Sequence, residues 1–343
     1  VITALLLFGL SLMSLYSARV GVTEQRLAAN DEQARAAFAA AQAGLDRVLA
    51  DLALLDRDAI VYDPDGWATL DTAAATLSDA GSDVSAYDAT ADNRGLTPFR
   101  ADTVHIESQG SSGDGGGTRA LTLTAVFSPL LPDVPPVPLL VRGGLTTSGD
   151  LALSSPARPR AAWLGGVYAP GGGVLNTVLS TPSLCPPSGL CEADARLAAL
   201  TPEAFFENTF GRPPAALRSV ARVLSCTACD PAAAPAGTDV IWLENSGGPV
   251  APAAGALGNE EHPVIVVVAG DFEAAAPLHI HGLLFVLGDW QGGSGTLTVD
   301  GAVAVAGDAA VVGPAQLNYD AAILEALHRR GRYSSVPGSW ADF

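Results

Sequence analysis

The residues best equipped for covalent chemistry are four cysteines, which fall in two close pairs. Cys185 and Cys191 stand in Ser-Leu-Cys-Pro-Pro-Ser-Gly-Leu-Cys, and Cys226 and Cys229 in Ser-Cys-Thr-Ala-Cys-Asp. A zinc site with four thiolate ligands is chemically possible, but the C-x5-C half is loose for a knuckle. A thioredoxin-like Cys-x-x-Cys needs a following helix, and Asp230-Pro231-Ala-Ala-Ala-Pro235 does not read as one. Exported chains usually oxidise their thiols, so two disulfides are preferred, most simply Cys185–Cys191 and Cys226–Cys229. Four cysteines permit three pairings, and the connectivity stays open at this point.

Other candidate sites are thinner. His279 and His281 leave one strand on the same side, a metal-capable spacing. The sequence shows no third ligand, so a surface or coil-edge pair is the reading, and no metal or other cofactor is assigned. Asp63, Asp65 and Asp71 begin like a calcium loop, but the later ligand spacing and closing Glu are missing, which favours turn chemistry. Gly115-Gly116-Gly117 lacks the Lys-Ser/Thr of a phosphate loop. There is no Gly-x-Ser-x-Gly and no His-Glu-x-x-His, and the five histidines are scattered. The carboxylates offer no pair with separable acid and base roles. No catalytic residue is assigned, and the chain does not read as an enzyme.

The elements that would carry function come first in the chain. Residues 1–18 are uncharged and apolar, with Leu5, Leu6, Phe8, Leu12 and Leu15 supplying bulk, and the first charge is Arg19. From Leu27, apolar residues recur at helical steps through Ala34, Phe38, Ala41, Leu45, Val48, Leu52 and Leu55. Asp31 and Arg35 sit at the supportive i, i+4 offset. This pattern predicts one helix over 1–55, apolar all round in its first third and amphipathic beyond. Eighteen residues span about 27 Å, just short of a hydrocarbon layer of ~30 Å. Gly9, Ser11, Ser14 and Ser17 are small enough for close helix approach. A cleaved signal is disfavoured by the missing basic n-region and A-x-A site. A simple membrane anchor is the second option. The preferred one is a helix stored in the membrane that later packs against its own kind.

Residues 1–50 resemble the N-terminal segment of PilX-like type IV pilins. The likeness is carried by Arg19, by Glu24-Gln25-Arg26-Leu27-Ala28-Ala29-Asn30 and by Ala37-Phe38-Ala39-Ala40-Ala41-Gln42-Ala43-Gly44-Leu45. It implies a filament subunit whose N-terminal helix assembles with other pilins, and places Val1 a few residues inside the mature chain. Gln42 stands where that family commonly has Glu. No acidic residue precedes Glu24, and a missing early glutamate is compatible with a subunit at the filament tip. The implied partners are other pilin subunits, minor pilins and a tip adhesin. The implied locations are a bacterial inner membrane before assembly and an extracellular filament afterwards.

The rest of the 343 residues fits an α+β chain: a long N-terminal helix with a β-rich head that includes a β-solenoid. Residues 56–128 are expected to form a pilin-like β head on the helix, with strands at 103–108 and 119–127 joined by a flexible Gly-rich connection. A Pro-rich linker, 129–138, marks the domain boundary. In 139–318, short apolar strands end in Gly-Asp at 149, 270, 288 and 307, the last three spaced 18 and 19 apart. That period favours stacked β-coils, with a sandwich or barrel as alternative. The Gly149 unit resembles units far downstream, so 155–263, which holds the cysteines, is expected to be an insertion. Within it, Thr201-Pro202-Glu203 signals a helix start. Residues 319–343 are a helix and tail, the helix capping the last coil, Arg329 and Arg330 answering its C-terminal carbonyls, and the tail aromatics packing back.

Every basic residue other than histidine is Arg, and the net charge is -18, with a pI near 4.4. This argues against non-specific nucleic-acid binding. The function implied is a structural subunit of a type IV pilus-like filament, with a minor, tip-associated pilin favoured. A major pilin and a surface adhesion module are the alternatives.

Overall fold

The computed structural model describes residues 2–52, 69–78, 84–92, 103–156, 158–179, 184–185, 188–226, 229–230, 234 and 237–342. The end of the expected 1–55 helix and Asp63 and Asp65 of the calcium reading lie outside these residues. The chain divides into two units, Val1–Ser128 with Gly331–Phe343, and Pro129–Arg330.

The first unit opens with α1 (Ile2–Leu52), 51 residues long, or about 76 Å at 1.5 Å per residue. It contains no proline, and its middle is rich in alanine, the best helix former. Four strands follow: β1 (Thr69–Ser78), β2 (Val84–Asp92), β3 (Thr103–Ser111) and β4 (Thr118–Pro129). Each pairs antiparallel with the next. Asp71, the third residue of the calcium reading, lies in β1. In β3 and β4 alternate residues are buried, as a half-covered sheet requires. Val104, Ile106, Leu121, Leu123, Ala125 and Phe127 pack with Ala41, Leu45, Val48 and Leu52 of α1.

The Gly-rich β3–β4 connection is not the flexible segment its composition suggested. Ser112 N–H donates to the Gly117 carbonyl (2.9 Å). Asp114 Oδ1 accepts from Ser112 Oγ (2.7 Å) and Gly116 N–H (3.0 Å), and Gln33 of α1 donates its side-chain amide to the same carboxylate. Glycine is used here for its φ of 74° at Gly115 and for close approach to Gln33 at Gly116 and Gly117.

The second unit contains β5 (Leu139–Val141), β6 (Leu145–Thr147), β7 (Leu151–Ser155), β8 (Ala162–Leu164), β9 (Tyr168–Pro170), β10 (Leu175–Leu179) and β11 (Leu190–Cys191). Three helices follow, α2 (Ala195–Ala198), α3 (Pro202–Phe210) and α4 (Pro214–Val220). Then come β12 (Arg222–Ser225), β13 (Val240–Glu244), β14 (Gly255–Leu257) and β15 (Val264–Ala269). The last elements are β16 (Leu278–Val286), β17 (Leu297–Val305), β18 (Ala309–Val311), β19 (Ala315–Asn318) and α5 (Ala321–Arg329). The chain then returns to the first unit as β20 (Gly331–Ser335) and β21 (Ala341–Asp342), both beside β4.

Among the described residues, the strand pairs of this unit are parallel. One row runs β12, β13, β15, the second half of β16, that of β17, β5, β8 and β11; another runs β14, β16, β17, β19, β7 and β10 through the first halves of β16 and β17. A third is the succession of bridges Val250–Phe272–Trp290–Ala309, continued by β18, β6 and β9. Val264, Val266, Val268, Leu284, Val286, Val303 and Val305 point into one core. Ile265, Val267, Leu283, Phe285, Ala302 and Ala304 point into a second, closed by Phe205, Phe206, Phe210, Leu324 and Leu327. Burial on both faces explains why these strands read as continuous apolar runs.

Several expectations need correction. The Gly-Asp turns at 270, 288 and 307 do stack: Asp271 Oδ1 accepts Asp289 N–H (2.9 Å) and Asp289 Oδ1 accepts Asp308 N–H (2.8 Å). The next member is Gly143-Gly144, whose Gly144 N–H reaches Asp308 Oδ1 (2.7 Å); Gly149 instead packs on the Val312 backbone. Residues 155–263 are not one insertion, because β8, β10 and β11 extend the rows at one end and β12 and β13 at the other. The Pro-rich 129–138 segment is no free spacer: Leu130, Leu131 and Val137 are buried, and Tyr319 Oη donates to the Pro135 carbonyl (2.8 Å). Helix α5 does not cap an end of the rows but lays its apolar side on β16 and β17. Its Arg330 guanidinium serves Asp239, Pro263 and Glu261 rather than its own helix carbonyls.

Candidate functional site

Helix α1 changes character near Ala37. From there Ala37, Ala40, Ala41, Leu45, Val48 and Leu52 are buried, at the three- and four-residue steps of one helix face. Before it, Phe8, Leu12 and Leu15 are 64%, 53% and 62% exposed. Arg19, Glu24 and Arg26 are also exposed. Leu5 and Leu6 belong to α1, but their side chains lie outside the described set. Leu27, where the apolar stripe of the sequence starts, is 63% exposed; the sheet simply does not reach that far along the helix. Phe38 lies at the transition, half-buried, with its ring 6.0 Å from Trp340 in an edge-on arrangement.

A run of exposed Leu, Phe, Met and Tyr side chains on one helix is far beyond scattered surface hydrophobics, and such patches mark interaction sites. Within it, Ser11 Oγ donates to the Leu7 carbonyl (2.9 Å) and Thr23 Oγ1 to that of Arg19 (2.9 Å). These polar groups are therefore satisfied inside the helix and leave its surface available for packing. The Arg35–Asp31 ion pair (2.6 Å) is exposed and adds a few tenths of a kcal/mol at most. Among the described residues, no helix is long and apolar enough to cross a membrane.

Residues 1–46 match the PilX N-terminal family. The helix is PilX-like. The crystal structure of the competence-associated pilin ComZ from Thermus thermophilus aligns with 92% of this chain and 98% of its own, at 15% identity and a TM-score of 0.30, a likeness too loose to carry the fold. No curated protein matches the chain. The PilX-like segment ends within the part of α1 that docks on the sheet, so it includes both the exposed face and the first buried turns.

The cysteines form two disulfides, Cys185–Cys191 with Cα atoms 5.3 Å apart and Cys226–Cys229 at 4.5 Å. The first ties β11 to the preceding loop, and the second follows β12. Both lie in the second unit, away in sequence from the PilX-like helix.

The His279–His281 pair read from the sequence has a third member that the sequence reading missed. His279 and His281 share the outward side of β16, and Asp300 of β17 is the direct register partner of His281. Asp300 Oδ2 lies 2.7 Å from His279 Nε2 and 3.5 Å from His281 Nδ1, while Asn318 Nδ2 donates to Asp300 Oδ1 (2.8 Å). Burial pushes the His281 imidazole down, His279 adds to this, and Asp300 and Glu260 oppose it. Burial alone would raise the Asp300 carboxyl, but donation from Asn318 and His279 and the nearby imidazoles hold it below the usual range. The missed signal was the period itself: His281-Gly282 and Asp300-Gly301 occupy equivalent places in successive repeats.

Proposed function

We propose that this chain is a structural subunit of a type IV pilus-like filament, held in the polymer by the PilX-like helix. The observation that carries the reading is the division of α1 into a docked half and an exposed apolar half. That exposure is costly in water, at roughly 25 cal/mol per Å² of apolar surface, and bundling with like helices removes it. Phe8, Leu12 and Leu15, with Leu5 and Leu6, supply the packing surface, and Gly9, Ser11, Ser14 and Ser17 let backbones approach. Arg19, Glu24 and Arg26 set charge register between neighbours, and Phe38 marks where the helix joins its own sheet. Before assembly the same apolar surface is stored in the bacterial inner membrane, and afterwards the subunit is extracellular.

A minor, tip-associated place is favoured over a major one, because a second unit as large as Pro129–Arg330 has to be accommodated wherever the subunit recurs. The three parallel rows support reading that unit as a β-solenoid displayed at the filament surface. Other minor pilins and a tip adhesin are the partners that this position implies.

The test is incorporation. Leu12→Arg with Leu15→Arg should leave the folded units intact by circular dichroism yet remove the protein from sheared filaments. Wild-type levels of the variant in filaments would reject the helix as the assembly device. A band stoichiometric with the filament would place the chain as the major subunit instead.

A further inference from the structure

We propose that His279, His281 and Asp300 form a binding site for one divalent transition-metal ion of the zinc class. The three ligand atoms lie within 4.8 Å of one another. They come from two adjacent parallel strands rather than a loop, and rigid elements hold ligand geometry better than loops do. Around a tetrahedral ion with bonds of about 2.0–2.1 Å, ligand atoms sit roughly 3.4 Å apart. The His281 Nδ1–Asp300 Oδ2 separation of 3.5 Å already meets this. The His279 Nε2–Asp300 Oδ2 contact, at 2.7 Å, has to open by about 0.7 Å to reach the same spacing. His279 is the most exposed of the three side chains, at 39%, and has room to give.

Two further observations separate a metal site from an ordinary histidine–aspartate pair. One imidazole is enough to satisfy Asp300 Oδ2, yet a second lies beside it, with ring centroids 4.1 Å apart and planes tilted by 39°. The Nδ1 atom of that second ring, His281, is buried and has no hydrogen-bond partner among the described residues. Coordination would satisfy it. Asn318 meanwhile holds the other carboxylate oxygen, the outer-shell contact that orients a ligating carboxylate and leaves one oxygen free. Two nitrogens and one oxygen suit zinc, copper or nickel better than calcium or magnesium, which take more oxygens. Three protein ligands on an outward, partly exposed face leave the fourth position to water or an external ligand. The bound ion would cross-link β16 to β17.

The experiment uses the untagged full chain in mild detergent, stripped with a chelator and titrated with Zn2+ alone against a chromophoric competitor. One ion should bind per chain, raise the Tm in a Zn2+-dependent way, and bind at least about 10-fold more weakly to Asp300→Asn and to His281→Ala. No saturable binding, or equal binding by wild type and both variants, overturns the proposal. Should the variants fail to fold, Co2+ bound to the wild-type chain decides: intense visible bands of a tetrahedral nitrogen–oxygen site support it, and weak octahedral bands alone reject it.

Discussion

Gly110 of β3 lies directly against the Ala37 carbonyl and the Ala41 amide of α1, with no space for a side chain between strand and helix. The contact falls where α1 passes from exposed to buried, so this one glycine sets how closely the helix can sit on its sheet. Gly110→Ala should push the helix outward and cost about 1–3 kcal/mol, the usual penalty of overpacking. Gly110→Val should cost more. Chemical denaturation of the two variants checks this, and a Gly110→Ala protein as stable as wild type would show that the helix docks differently.

The Phe38–Trp340 pair fastens the chain's last strand region to the same helix. Trp340 is 49% exposed, so the pair acts mostly through its edge-on ring geometry and modest burial. Ser339 supports it, accepting Thr124 N–H (3.1 Å) and donating to the Val336 carbonyl (2.7 Å). Trp340→Ala should destabilise the first unit by about 1 kcal/mol, and Trp340→Phe by less. Urea unfolding followed by far-ultraviolet dichroism distinguishes the two, with equal midpoints for all three proteins arguing against the contact.

These contacts show which features were legible in advance. Helical spacing identified α1, and strand alternation identified β3 and β4, because both patterns are local. How far along α1 the sheet reaches is a tertiary matter, which is why the apolar stripe starts at Leu27 but burial only at Ala37. The repeat of Gly-Asp turns was visible in β15 to β18, but the chain enters its rows at β5, beside β17. The likeness of the Gly149 unit to units downstream hinted at that jump, but no local signal reports that the residues between also supply strands to the rows, and 155–263 therefore read as an insertion. The His279–His281–Asp300 cluster was half visible: the pair on one strand was plain, but the third member required the repeat to be applied residue by residue.

Trp163 and Asp194 provide a reading of pH. Leu197 N–H and the Trp163 indole donate to the Asp194 carboxylate and, with burial opposing and Arg196 assisting, hold it below its ordinary 3.8. Asp194 is the N-cap of α2, and, the folded value being the lower one, the cap's stabilisation is fully present above the unfolded pKa and is lost as pH falls through the folded value. The Trp163 indole proton resonance should thus titrate with a midpoint below 3.8. Asp194→Asn should abolish that titration. A midpoint at or above the ordinary value would mean the indole bond is not made in solution.

The final prediction concerns the corner shared by β16 and β17. Gly282 and Gly301 are register partners, with φ of 141° and 143°, a conformation that costs a non-glycine residue strain. A side chain at Gly301 would also collide with the Gly282 carbonyl, and one at Gly282 with that of Val264. The two costs act together, since neither backbone can move away without breaking the parallel ladder that continues on both sides. Gly301→Ala should accordingly destabilise the second unit by more than the ~1 kcal/mol typical of single substitutions, and Gly282→Ala should do the same. The clashes fall in successive gaps, Gly282 against Val264 and Gly301 against Gly282, so moving Gly282 away from Val264 presses it towards Gly301, and the double variant should lose more than the sum of the singles. Thermal unfolding of the four proteins measures this coupling. Strict additivity would mean that the corners yield independently and that the stacked glycines are not a shared constraint.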